Sequence, residues 1–205
     1  MYQRQPIAAR PARDRLLDAA ERVVVESGAT HLTLDAVAKS AGVSKGGLLY
    51  HFPSKEALLE GMLARHFEDI DAEVSRRVAS GSRRTARGVR QRVGRPGKPS
   101  RADFFSERVR VLLESHAGRP AFGVAVVAAS AENPEHMAVC RAKYRALLDE
   151  FAKLPGGFER TALVLLAVQG LLLAELLHLS PYTPEERSRL VKALQRAADQ
   201  CRSTP

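Results

Sequence analysis

The sequence predicts an all-α chain, and three observations carry that expectation. Runs rich in Ala, Leu, Arg and Glu set apolar residues at helical spacing along most of the 205 residues. Few segments alternate with the period of two that a half-buried strand requires. Glycine or proline separates the successive runs, as expected at helix ends. At 45% hydrophobic residues, a chain of this length supports a small head and one further helical domain, each with a core.

The elements follow in order. Residues 1–11 are polar, carry two prolines and show no apolar period, so a flexible N-terminal arm is expected. The first helix is expected from Ala12 to Ser27, with Leu16, Leu17, Ala20, Val23 and Val24 on one face and Gly28 as its stop. Thr33 is a candidate N-cap for a short helix over Leu34–Ala41, Asp35 favours its positive end, and Gly42 ends it. Ser44 then caps a second short helix from Lys45 to about Phe52, and Pro53 and Ser54 close it and start the next. Two short helices joined by a glycine-containing turn form a helix-turn-helix, whose second helix enters a DNA major groove. Leu34, Val37, Ala38, Ala41, Val43, Leu48, Phe52 and Leu58 can all face inward in that arrangement, leaving Lys45, Gly46, Gly47 and Tyr50 outside. Consecutive glycines in a helix cost about 1 kcal/mol each relative to alanine. Either DNA approaches the backbone there or the pair marks a loop.

From Arg15 to about Leu63, through RLLDAAERVVVESGATHLTLDAVAKSAGVSKGGLLYHF and PSKEALL, the chain resembles the TetR family of bacterial transcriptional repressors. The resemblance implies that Lys45 and Tyr50 face DNA and that Thr33 and Lys55 meet phosphates at helix N-termini. The full DNA-facing set is expected to be Thr33, Ser44, Lys45, Gly46, Gly47, Tyr50, His51 and Lys55. Two positions depart from the family pattern: Gly47 stands where threonine is common, and Leu49 where a phosphate-binding tyrosine is common. Tyr50 is the candidate to take over that contact. Arg4, Arg10 and Arg13 of the N-terminal stretch either reach a minor groove or stay in a solvated tail.

A longer amphipathic helix is expected from Lys55 to about Val78, its stripe being Leu59, Met62, Leu63, His66, Phe67, Ile70, Val74 and Val78. The organisation expected is thus a head over 12–53, a connecting helix over 54–79, a basic flexible loop over 80–100 and a ligand-binding and dimerisation domain over 101–205. Net charge is +9, yet ten basic and no acidic residues lie between Val74 and Ala102, so the excess is local. That loop is either simply solvated or adds phosphate contacts. Further helices are expected over Asp103–His116, Pro120–Ala131, Pro134–Lys153, Phe158–Leu179 and Pro184–Arg202, the last capped by Thr183.

Phe158–Leu179 is the most apolar segment, but its uncharged run Thr161–Ala174 falls short of the ~20 residues a bilayer needs, so no membrane partner is expected. An apolar helix of this kind needs a second covering surface, most simply a partner chain. Family members dimerise through their last two helices, which makes Leu165, Leu172, Leu176, Leu190 and Leu194 the candidate homodimer interface. The resemblance also implies an effector cavity, for which Phe67, Phe104, Phe105, Val109, Phe122, Met137, Tyr144 and Gln169 are candidates.

No Gly-rich phosphate loop, paired-Cys motif or Ser, His and Asp set points to an enzyme, and no cofactor is expected. His136 and Cys140 stand one helical turn apart, either as two metal ligands or as a chance surface pair, and Cys140 is also a candidate redox thiol. The start of the chain lacks an apolar stretch of signal-peptide length, and two distant cysteines suit a reducing compartment, so a cytoplasmic protein is expected. The reading is a repressor released from a palindromic DNA operator by a small-molecule effector. The alternative is a sequence-tolerant basic nucleic-acid binder without an effector.

Overall fold

The computed structural model describes residues 11–28, 31–88, 99–115 and 134–201, and among them there are helices and no strand. The helices are α1 (Ala12–Ser27), α2 (Leu34–Ala41), α3 (Lys45–His51), α4 (Lys55–Gly88), α5 (Arg101–Ser115), α6 (Ala138–Phe151), α7 (Gly157–Leu176) and α8 (Pro184–Gln200). A 3-10 turn at Pro134–Met137 precedes α6, where a single helix from Pro134 was expected. The arm before Pro11, residues 89–98 of the basic loop, the expected helix at Pro120–Ala131 and Phe122 lie outside the described residues. The chain divides into two compact units, Met1–His66 with Arg119–Arg141 and Phe67–Gly118 with Ala142–Pro205.

In the first unit, α1 to α3 and the start of α4 close around Leu16, Leu17, Ala20, Val24, Leu32, Val37, Leu48, Phe52 and Leu58. Local chemistry sets the short helices. Thr33 Oγ1 accepts from the Ala36 amide at 3.2 Å, Ser44 Oγ from Gly47 at 3.1 Å and Ser54 Oγ from Ala57 at 3.2 Å, so each start is capped. Gly42 ends α2 at φ 69°, where the Val43 amide reaches back to the Ala38 carbonyl and Val43 packs on the core.

Two features lock α4 onto α1 and α3. Arg65, buried, donates to Asp18 at 2.8 Å and Glu21 at 2.7 Å. Gly61 lies so close to the core that a Cβ there would stand 2.7 Å from the Phe52 ring and 3.2 Å from Arg13. Arg13 itself lies over the Phe52 ring, 5.2 Å from its centre, so it packs the head instead of extending the arm. Beyond the head, α4 continues to Gly88, ten residues past the expected end at Val78. Glycines, two prolines and the charge run predict a loop over 80–100, yet Ser82 to Arg87 contains no proline or glycine to stop a helix.

The second unit buries Phe105, Val109 and Leu113 of α5 against Phe151 of α6, Val164, Leu165, Val168 and Leu172 of α7, and Ala198 of α8. The Phe105 and Phe151 rings lie 5.0 Å apart. A polar tie joins α5 to α8: Ser106 Oγ donates to Asp199 at 2.5 Å, and Gln195 donates to Ser106 Oγ at 3.0 Å. Arg187 makes two hydrogen bonds to Glu175, at 2.5 and 3.1 Å, and so fastens α8 to α7. Thr183 and Glu186 form a reciprocal capping box at the start of α8.

Among the described residues α7 is long and apolar enough to cross a membrane, with 20 residues and a mean hydropathy of 1.5. Its inner side nonetheless packs against α5 and α8, as a core helix does. Its end falls at Leu176, earlier than expected, because His178 turns to φ 56° and the Leu179 amide bonds back to the Ala174 carbonyl at 2.8 Å.

Candidate nucleic-acid interface

In the first unit the exposed side of α3 and the start of α2 form one surface. Thr33, Ser44, Lys45, Gly46, Gly47 and Tyr50 are all exposed there, while His51 and Lys55 are half-buried. Tyr50 is 85% exposed and Leu49 37%. Lys45, Leu49 and Tyr50 therefore project to solvent, while Leu48, between them in sequence, is fully buried and holds the helix down. The Tyr50 ring meets His51 edge-on at 5.0 Å.

Lys45 is engaged. Its Nζ lies 3.0 Å from Asp35 Oδ2, joining the first turn of α3 to the first turn of α2. Both side chains are more than half exposed, and such a pair contributes about 0–1 kcal/mol at most. Phosphate can displace Asp35 at little cost. The hydroxyls of Thr33 and Ser44 accept backbone amides as caps, which leaves each hydroxyl hydrogen able to donate outward.

The glycine pair sits in the helix and not in a loop. Gly46 and Gly47 have no positive φ, in contrast to Gly28, Gly42 and Gly157. A Cβ on Gly46 would find only Ser44 Oγ, 4.0 Å away, and one on Gly47 only Ser44 Oγ at 3.4 Å and Val43 at 3.9 Å. These are ordinary contacts. Neither backbone conformation nor crowding among the described residues requires glycine at either position.

In the second unit a cavity of about 290 Å³ opens between α4, α5 and α6. Phe67, Val74, Phe104 and Leu147 form its apolar wall, with Asp71 and Arg108 among the polar lining residues. Of the residues expected around an effector, Phe67 and Phe104 come together here, and Tyr144 packs edge-on against Phe67 at 5.6 Å. Phe105 and Val109 do not line the cavity: both are 0% exposed and belong to the core between α5, α6 and α7. They occupy the side of α5 that faces α7. Gln169, half-buried on α7, is absent from the lining, and Met137 belongs to the first unit. Arg108 and Asp71 were missed because a charged helical residue reads by default as solvent-facing.

The expected dimer face also needs correction. Leu165 and Leu172 are 3% and 4% exposed, buried in the chain's own core, while Leu176, Leu190 and Leu194 are half-buried. The exposed apolar residues of this region are instead Leu163, Leu166, Leu173 and Leu177, at 67%, 63%, 49% and 42%. With Gly170 they repeat at alternating steps of three and four residues, the spacing of a helix-packing seam. A signal was present in the sequence, but leucines on every side of the segment concealed which stripe faced out.

Cys140 is buried, and that burial pushes its thiol up to about 11, so it is protonated at neutral pH and a poor redox nucleophile. Among the described residues no three His, Cys, Asp or Glu side chains converge to hold a metal. The side chain of His136 is outside the described set.

Comparison with known proteins agrees with this geometry. Residues 16–62 match the family described as bacterial regulatory proteins, tetR family, and residues 104–199 match the tetracyclin repressor-like C-terminal domain. The HTH-type transcriptional regulator UidR of Escherichia coli (strain K12) is 26% identical over 145 residues, 71% of this chain and 65% of that protein. The chain thus spans just under two thirds of that relative's length. The HTH-type transcriptional repressor KstR of Mycolicibacterium smegmatis is 40% identical over 74 residues, 36% of each chain. The crystal structure of the multidrug binding protein EbrR complexed with ethidium superimposes with a TM-score of 0.60 at 22% identity, covering 91% of this chain and 98% of that one. With its N-terminal and C-terminal halves both matched, the chain belongs to the TetR family of bacterial regulatory proteins.

Proposed function

We propose that the protein is a cytoplasmic DNA-binding transcriptional repressor that grips a palindromic operator as a homodimer and lets go when a small molecule binds its second unit. The observation that carries this reading is the glycine pair of α3. Two helical glycines that nothing among the described residues requires leave the main chain bare beside Lys45 and Tyr50, where a DNA backbone can approach closely. Thr33, Ser44, His51 and Lys55 flank that strip as candidate phosphate contacts.

Dimerisation is supported by the seam on α7. Leu163, Leu166, Leu173 and Leu177 form an exposed apolar row, and among the described residues nothing beyond its own stretch of helix lies within 4 Å of a Cβ placed on Gly170, so a second helix can come close there. Two heads must present α3 about 34–36 Å apart to read successive major-groove faces. A ligand that prefers another spacing releases DNA by its differential affinity for that state, and DNA weakens the ligand in return. The co-crystallised ethidium of EbrR supports a ligand-responsive second unit, without indicating which ligand.

Footprinting on the region upstream of the protein's own gene tests the proposal. A short, two-fold symmetric protected site is expected. Absence of protection there, or protection without any preferred sequence, would contradict it.

A further inference from the structure

We infer that the cavity between α4, α5 and α6 takes a small ligand with a carboxylate head and an apolar body, and that Arg108 is the anchor of that carboxylate; the effector role assigned to it rests on the function proposed above. Arg108 is a buried cation on the cavity wall, its side chain 8% exposed. It bonds Asp71 through Nη2, and its Nε, also buried, has no hydrogen-bond partner among the described residues. The partners are unequal: the Asp71 side chain is 48% exposed. Asp71 is hydrated whether paired or not, whereas a buried guanidinium left without an anion is strongly disfavoured. A carboxylate arriving from outside can therefore take Asp71's place, keep Arg108 neutralised and let Asp71 turn to water.

The rest of the cavity fits such a ligand. Phe67, Val74, Phe104 and Leu147 would cover its apolar body, and a volume of about 290 Å³ suits a compact acid. The rim carries one charge of each sign, Lys143 and Glu150, both exposed, so the buried charge decides the preference. A cation would be pushed against Arg108, and a neutral amide offers no charge to replace Asp71. The exchange has a structural consequence, because the Arg108–Asp71 pair ties α5 to α4. With that tie opened, Arg77 to Glu114, at 2.6 Å, remains between the two helices.

Calorimetry on the full chain without DNA tests the site, using benzoate, phenylacetate, hexanoate and octanoate against benzamide, benzamidinium and hexylammonium. At least one acid is expected to bind about tenfold or more tightly than its amide and its cationic counterpart. Asp71→Asn should tighten that acid several-fold by removing the competing carboxylate, and Arg108→Met should weaken it by about 30-fold or more. Should Arg108→Met fail to fold, Leu147→Trp fills the cavity without touching the ion pair and should abolish binding. The inference is overturned if none of the acids binds at millimolar concentration, if benzamidinium binds as well as benzoate, or if Asp71→Asn weakens the acid. Operator binding in the same samples separates the two proposals. A chain that binds DNA but no acid refutes this inference alone, one that binds acid but no DNA refutes the function proposed above, and an acid that binds yet leaves the operator complex intact overturns the effector role.

Discussion

Gly61, on α4, and the pair Gly46–Gly47, on α3, belong to the same unit, yet they answer to different neighbours. At Gly61 the reason for glycine lies inside the chain, since a side chain would drive into Phe52 at 2.7 Å. At Gly46 and Gly47 the surroundings are open and the backbone is ordinary helix. A glycine inside a helix is unfavourable by up to about 1 kcal/mol relative to alanine, and Gly46 and Gly47 lie in the first turn of α3, where that loss is smaller. The difference teaches that one glycine is required by packing, while nothing among the described residues accounts for the other two. The same contrast runs along α7, where Leu165 and Leu172 fill the core and Leu163, Leu166 and Leu173 stand in solvent.

The largest expected effect lies on that seam. Leu166→Glu with Leu173→Glu leaves the core of the second unit untouched but places charge on a face assigned to a second copy. Analytical ultracentrifugation should then find monomer in place of dimer, and operator affinity should fall by about 100-fold or more, because two linked heads bind by avidity. A wild-type chain that sediments as a monomer breaks the comparison at its second example.

Next comes Gly61→Ala. Overpacking against Phe52, Leu17 and Arg13 should outweigh the gain in helix propensity and lower stability by about 1–2 kcal/mol in urea unfolding. A variant as stable as the wild type would mean that the head yields freely, and the distinction between the glycines would vanish. The smallest effect is at His178, which adopts φ 56° at the end of α7. His178→Gly should raise stability by about 0.5–1 kcal/mol, since glycine adopts this conformation without strain.

The head was legible in the sequence because its signals are local. Thr33 and Ser44, like Thr183 in the second unit, are caps whose hydroxyls accept from amides three residues ahead, and Gly28 and Gly42 stop their helices where the apolar period ends. The parts that escaped depend on contacts far apart in the chain. Arg65 pairs with Asp18 and Glu21 more than forty residues away, and Arg108 with Asp71 at a separation of 37. A charged residue on a helix gives no hint that it is buried. On α7 the failure had another cause: a helix apolar on nearly every side has no period to tell the inner stripe from the outer one. Phe104 and Phe105 illustrate the same limit, because adjacent aromatic residues on α5 face a cavity and a core respectively.

The most direct measurement pairs two readings on the same two variants, Gly46→Ala and Gly47→Ala. Chemical unfolding should show each variant more stable than the wild type by about 0.5–1 kcal/mol, while titration of the operator should show affinity reduced by about tenfold or more as the added methyl group holds the helix off the DNA. Variants that gain stability and bind the operator as tightly as the wild type would contradict the assignment of α3 as the DNA-facing helix.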